Sequence, residues 1–246
     1  MSHVWGRAPT DLALASDAVH VWRVPLTLPA TEVHSLQRLL SPDELDRAAR
    51  FYFEADRQRF IMARGVLRRI LSRYLGLEPQ QLRFCYSHYG KPDLAPAAGM
   101  RPLRFNLSHS HTLALYAVTC GREVGIDVEY LRTNFAHEEI AARFFSAREN
   151  TTLQTLPPHL RYAAFFTCWT RKEAYIKAHG EGLSLPLEQF DVSLAPGAPA
   201  ALLATRHDPL AASRWSLQEL QPGPGYVAAL AVEGHGWRLA CWQWAE

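Results

Sequence analysis

The chain has 246 residues, enough for one large domain or two lobes of roughly 120 residues each. Hydrophobic residues make up 48% and charged residues 20%, a balance that excludes a disordered or low-complexity protein. A net charge of +2 argues against a general nucleic-acid binder, and the longest apolar run, Tyr226–Val232, is far shorter than the ~20 residues of a membrane span. The segment Met1–Thr10 lacks the layout of a signal peptide, so a cytoplasmic protein is expected. Cys85, Cys120, Cys168 and Cys241 are scattered without C-x-x-C spacing, which suits a reducing compartment better than a zinc or redox site.

The modest net charge hides an asymmetry. Residues 1–120 carry 15 Lys+Arg and 10 Asp+Glu, whereas residues 121–246 carry 11 and 14. Eight arginines fall between Arg47 and Arg73. Such a patch attracts an anion, or forms a solvated helix face, and composition leaves both open. Only three lysines occur: Lys91, Lys172 and Lys177.

In chain order, Val19–Val24 reads as a strand from its branched and aromatic residues. Leu39-Leu40-Ser41-Pro42-Asp43-Glu44 then carries an S-x-x-E capping box, in which Ser covers an open helix amide and Glu reaches back. A helix is predicted near Arg57–Leu75, with Phe60, Ala63, Leu67, Ile70, Leu71 and Tyr74 at helical spacing and a glycine at its end. Strands follow at Leu82–Tyr86, Leu103–Leu107, Leu113–Thr119 and Val124–Glu129, with Lys91–Arg101 a turn or loop. The capping box recurs at Phe144-Phe145-Ser146-Ala147-Arg148-Glu149, 105 residues on, before a second long helix near Leu160–His179. At a shift of 106, Phe60 matches Phe166 and Gly76-Leu77 matches Gly182-Leu183. Further strands are expected at Phe190–Leu194, Trp215–Leu220, Tyr226–Val232 and Trp237–Trp242. Loops are read at Ala195–Ala200 and Gln221–Gly225. The pattern reads as α+β, two similar lobes with a ligand site in the crevice between them.

Within the second long helix, Tyr162, Phe166, Trp169, Glu173 and Ile176 share one stripe at ~100° per residue. Glu173 stands where an apolar residue is due, and the matching position of the first half is Leu67. A carboxylate there is costly unless it is paired, protonated or metal-bound. The plainer alternative is an exposed ion pair with Lys177, one turn on.

Along Gly125-Ile126-Asp127-Val128-Glu129-Tyr130 a strand period puts Asp127 and Glu129 on one side and the apolar residues on the other. Two carboxylates in water would also fit, but two like charges repel and a divalent cation removes that cost. Three acids from a strand and a helix suit Mg²⁺, and no Cys or His accompanies them to suggest Zn²⁺. In Phe105-Asn106-Leu107-Ser108-His109-Ser110-His111 a strand runs into a polar turn. Its hydroxyl, amide and imidazole groups suit phosphate oxygens better than a two-histidine metal site. Tyr89-Gly90-Lys91-Pro92 is a turn by composition.

Y-G-K-P at 89–92, F-N-L-S-H-S at 105–110, G-I-D-V-E at 125–129 and W-T-R-K-E-A-Y-I-K at 169–177, in that order, resemble the Sfp-type 4'-phosphopantetheinyl transferases. S-P-D-E-L at 41–45, R-F-F-S at 143–146 and G-E-G-L-S-L-P-L at 180–187 extend the likeness over residues 39 to 194. The resemblance implies a monomer of two similar α/β lobes related by pseudo-two-fold symmetry, with coenzyme A between them. It implies residues 1–121 as the N-terminal lobe, on the adenine and 3'-phosphate side, and 122–246 as the Mg-binding, catalytic lobe. Position by position, Asp127, Glu129 and Glu173 would hold Mg²⁺ against the coenzyme A pyrophosphate, with Glu173 as base. Lys177, seconded by Lys172, would neutralise phosphate charge, and Asn106, Ser108 and His109 would line the phosphates. Tyr89, Gly90, Lys91 and Pro92 would line the adenine, while Arg59 and Arg47 would take the 3'-phosphate. The chain departs from the pattern at Glu44, where some members are basic, and at Phe60, where others are polar. Arg64 is a possible substitute in that pocket.

The implied reaction moves the phosphopantetheinyl arm to a serine of an apo acyl, peptidyl or aryl carrier protein and releases adenosine 3',5'-bisphosphate. No nucleic-acid or membrane partner is expected. A Mg²⁺-dependent pyrophosphatase and a non-enzymatic coenzyme A-binding module are the alternatives.

Overall fold

The computed structural model describes residues 3–96, 102–132, 136–180 and 182–245. Residues 97–101 of the expected Lys91–Arg101 loop lie outside them. The elements are β1 (Gly6–Arg7), β2 (Ala18–Pro25), α1 (Ala30–Gln37), α2 (Pro42–Ala49), α3 (Glu54–Leu75), β3 (Phe84–Tyr86), β4 (Pro92–Leu94), β5 (Leu103–Ser110) and β6 (Leu113–Cys120). There follow β7 (Val124–Tyr130), α4 (His137–Phe144), α5 (Ala147–Thr155), α6 (Pro158–His179), β8 (Phe190–Val192), β9 (Leu202–Thr205), α7 (Ala211–Arg214), β10 (Trp215–Leu220), β11 (Tyr226–Glu233) and β12 (Arg238–Gln243). The fold is mixed α/β, as the periodicities predict. Several elements run against the reading: Pro92–Leu94 is a strand paired with β3, β5 continues to Ser110 before its turn, and short helices α1 and α4 precede the two capping boxes.

Two main sheets are present, ordered β1-β12-β2-β6-β5 and β10-β11-β7. Helix α3 covers one face of the first sheet, where Trp22, Val24, Tyr116 and Val118 meet Val66, Leu67 and Ile70. Helix α6 covers one face of the second, where Ala229 and Ala231 meet Phe165, Cys168 and Tyr175. The opposite faces pack on each other, with Val19, Val21, Leu115 and Ala117 against Ile126, Val128, Leu230 and Val232. Strand β12, although it follows the whole second sheet in sequence, inserts between β1 and β2 and runs parallel to both.

Both S-x-x-E boxes form. Glu44 reaches back to the Ser41 amide and Glu149 to the Ser146 amide, each at 2.9 Å. Each glutamate is also buried and held by a base from the long helix. Arg68 pairs with Glu44 at 2.8 Å, donates to the Leu82 carbonyl and lies over Phe84. Lys172 pairs with Glu149 at 2.8 Å, donates to the Leu187 carbonyl and lies over Phe190. Phe84 and Phe190 are 106 residues apart, so the same anchor is built twice. Arg64 adds a second ion pair to Glu44, at 2.7 Å. An acid at position 44 is therefore an internal counter-charge for Arg64 and Arg68.

Strands β5 and β7 lie side by side where the two sheets meet, joined through side chains. Asn106 Oδ1 accepts from the Ile126 amide at 2.9 Å and Ser110 Oγ from the Tyr130 amide at 3.0 Å. The constant offset of 20 residues shows the strands running in the same direction, with β5 side chains answering β7 amides that would otherwise be orphaned. The Asn106 carbonyl oxygen is thus committed to the fold. Asn106→Ala is expected to lower stability by about 1–3 kcal/mol, because it leaves a buried amide unpaired, and to leave coenzyme A affinity unchanged. Denaturant unfolding and calorimetric titration check the two halves of that statement.

Candidate active site

Strand β7 turns Val124, Ile126 and Val128 into the inter-sheet core and presents Gly125, Asp127 and Glu129 on the other face. Gly125 lets α6 lie directly on that face: a Cβ there would sit 2.1 Å from the Ala174 carbonyl oxygen and 2.3 Å from the Ala178 nitrogen. This close approach brings Lys177 against Asp127, Nζ to Oδ1 at 2.6 Å. Ser108, from β5, donates to the same oxygen at 2.8 Å and accepts from Lys177 at 3.0 Å. Ser110 donates to Glu129 at 3.0 Å. Sequence and register thus gather β5, β7 and α6 around one carboxylate.

The three acids influence one another. Burial first, and then the Asp127 charge, push the Glu173 carboxyl up to about 7, with Glu129 adding to the rise and Lys177 opposing it. Glu129 is also raised, by burial and by Asp127, against the hydrogen bond from Ser110. Among the described residues, no three Asp, Glu, His or Cys side chains converge tightly enough to enclose a cation as they stand. The donor set nevertheless fits a hard cation. Asp127 Oδ2 is buried without a hydrogen-bond partner, and the Asp127 charge repels those of Glu129 and Glu173.

A crevice leads away from this centre. Its widest part, about 670 Å³, is lined by Arg47, Arg50, Phe51, Tyr86, Tyr89 and Gly90. A hollow of about 220 Å³ continues past Arg47, Phe60, Pro92, Leu107 and His109. A third, about 330 Å³, runs past Phe60 and His109 to Arg59, Ser110, Glu129 and Arg132. The widest part alone falls in the usual range for a cofactor site. A separate hollow of about 510 Å³ between α1, α2 and α3 contains none of the candidate residues. His109 projects into the crevice, where desolvation, followed by the Lys177 and Arg59 charges, holds its imidazole below the ordinary histidine value. Arg59 is paired with Asp56 at 2.9 Å, and Arg47 lies over the Phe60 ring.

Two lysines stand elsewhere than expected. Lys172 is fully buried on the far side of α6, bonded to Glu149 and to the Leu187 and Phe190 carbonyls, so it cannot reach a phosphate. An i, i+5 separation from Lys177 puts the two on different faces of the helix, which the spacing already implied. Lys91 belongs to the turn beside the widest part of the crevice, but its ammonium is spent on Glu123 and on the Ala178 carbonyl. Arg50, which lines the crevice, was missed; only its place next to Phe51 at the end of α2 marks it.

Residues 123–231 match the profile of the 4'-phosphopantetheinyl transferase superfamily, and residues 29–121 that of the 4'-phosphopantetheinyl transferase N-terminal region. The chain belongs to this superfamily. It is 46% identical over 244 residues to the 4'-phosphopantetheinyl transferase HetI of Nostoc sp., covering 99% of this chain and 100% of that one. With the 4'-phosphopantetheinyl transferase Sfp of Bacillus subtilis it shares 32% identity over 197 residues, 78% of this chain and 82% of the other. A crystal structure of Thermotoga maritima holo-[acyl-carrier-protein] synthase superposes over 46% of this chain and 62% of that one, with 22% identity and a TM-score of 0.37. The protein is an enzyme that transfers 4'-phosphopantetheine from coenzyme A to carrier proteins. No described helix is long and apolar enough to cross a membrane.

Proposed function

We propose that Asp127, Glu129 and Glu173 hold Mg²⁺ beside the pyrophosphate of coenzyme A, and that Glu173 takes the proton from the carrier serine. The observation that carries this reading is the orphaned, buried Asp127 Oδ2, whose carboxylate charge helps to raise the carboxyls of both Glu129 and Glu173. When bound, the cation supplies positive charge against the diphosphate. The chain's own groups do the rest. Lys177 and Ser108 fix Asp127, while Lys177 and His109 offer donors to charge growing on the leaving bisphosphate. A carboxyl near pH 7 suits a base that must accept and release a proton within one turnover. The adenine is assigned to the Tyr89–Pro92 turn and the 3'-phosphate to Arg47 and Arg59, all lining the crevice except Lys91.

In this reading residues 1–121 serve the nucleotide and 122–246 the metal and the chemistry, with the tail of the second part returning into the first sheet. One chain supplies both, so it works as a monomer, in the cytoplasm, on apo acyl, peptidyl or aryl carrier domains. Incubation with coenzyme A, Mg²⁺ and a panel of apo carriers, followed by intact-mass measurement, tests it. One arm added to a single serine, and none in EDTA, is expected. Cleavage of coenzyme A with no carrier modified would defeat the proposal.

A further inference from the structure

We infer that Lys91 is a latch between the hairpin that borders the crevice and the end of the helix that carries Glu173 and Lys177. This rests on the reading of the crevice as the coenzyme A site and adds a positioning residue to it. Strands β3 and β4 pair through Phe84 with Leu94 and Tyr86 with Pro92, and the tip closes through the Ser87 amide to the Lys91 carbonyl at 2.9 Å. The tip also bears Tyr89 and Gly90, which line the crevice. From it the Lys91 side chain leaves the crevice and crosses to α6. Its Nζ donates to the Ala178 carbonyl at 3.1 Å and pairs with Glu123 at 3.3 Å, with 19% of the side chain exposed.

The last carbonyls of a helix have no partner within it, and an ammonium there satisfies one while meeting the negative end of the helix dipole. Helix α6 ends at Gly180 in the left-handed conformation, φ 88°, and a Cβ there would lie 3.6 Å from Lys91 Cδ, so the lysine stem packs over the cap. Glu123 is itself braced by Arg104 at 2.9 Å, and Arg104 by Asp93 of β4 at 2.8 Å. The hairpin is therefore tied twice to one acid, once directly through Lys91 at its tip and once through Asp93 of β4 by way of Arg104. Ala178 follows Lys177 directly. Whatever fixes the hairpin also fixes the turn from which Lys177 reaches Asp127.

The consequence is a coupling: a ligand that orders the hairpin tip orders the last turn of α6 through Lys91. Hydrogen exchange and steady-state kinetics on the full chain test it with Lys91→Met, which keeps the stem and removes the charge, and Lys91→Arg, which can still donate to both partners. In the wild type, coenzyme A is expected to slow exchange both in residues 84–94 and in residues 176–180. In Lys91→Met the hairpin should still be protected and the helix end should not. The kcat should fall about tenfold, and Lys91→Arg should recover most of it, as a small displacement of a reacting group predicts. A variant with unchanged kcat and a raised KM for coenzyme A would overturn the latch in favour of direct ligand contact. A lower melting temperature with wild-type kcat would reduce Lys91 to a structural brace. Absence of any protection by coenzyme A in the wild type would remove the crevice reading, and the latch with it.

Discussion

Glu173→Gln is expected to abolish detectable transfer to a carrier while leaving the protein folded and, without metal at pH 8, more stable than the wild type. The sign follows from linkage. The folded carboxyl titrates at about 7, above the ~4.3 of an unfolded chain, so between these values the native state binds the extra proton. Stability contributed by this group is fully present below about pH 4 and is lost as pH rises through 7, where the charge must sit beside Asp127 and Glu129. Glutamine carries no such charge. In EDTA the variant should melt above the wild type at pH 8, with the difference shrinking toward pH 5. Added Mg²⁺ should raise the wild-type melting temperature more at pH 8 than at pH 6, because carboxylate ligands bind deprotonated, and should do little for the variant. Melting curves at the two pH values, alongside intact-mass assays, check the set. Transfer at the wild-type rate would remove Glu173 from the chemistry, and an unchanged metal response would remove it from the cation site.

Gly125→Ala should cost more of the fold than alanine at any other described glycine. The added carbon would meet the Ala174 oxygen at 2.1 Å and the Ala178 nitrogen at 2.3 Å, and both are backbone atoms that no rotamer change can clear. Helix α6 must lift off β7 as a body, stretching the 2.6 Å Lys177–Asp127 pair and loosening the Ala229 and Ala231 packing beneath it. We expect a loss of at least about 3 kcal/mol, roughly 10 °C in melting temperature, together with lost transfer in whatever folds. The equivalent change at Gly121, where a Cβ meets nothing within 4 Å, is the control for crowding, although its φ of 75° carries its own smaller strain. A Gly125→Ala protein that melts and reacts like the wild type would mean that α6 does not rest on β7 this closely.

Much of this was legible in the chain. The duplicated S-x-x-E boxes, the glycines that end the two long helices and the alternation in G-I-D-V-E each encode a local rule, and each forms as read. Glu173 showed itself as a carboxylate on an apolar stripe. What escaped was direction at longer range. Lys172 and Asn106 sit inside motifs that border the site, yet their side chains serve the fold, because motif membership says nothing about which face a residue presents. Lys91 was placed on the right turn but without its partner, since Ala178 is 87 residues away and no periodicity connects them. The short strands β1, β4 and β9 also escaped, each of four residues or fewer and ordered by its neighbour rather than by its own composition.

Strand β12 has a bearing on how the molecule is made. The edge of β2 stays open until residues 238–243 have emerged from the ribosome, by which time both long helices have long been available. The first sheet is therefore closed by β12, in a parallel pairing with β2 of very large sequence separation, and such pairings form slowly. The first sheet cannot finish before the second half of the chain is made, whereas the second sheet draws only on β7, β10 and β11. Until β12 is made, the nascent chain carries an unsealed β2 edge, a surface prone to pairing with other chains.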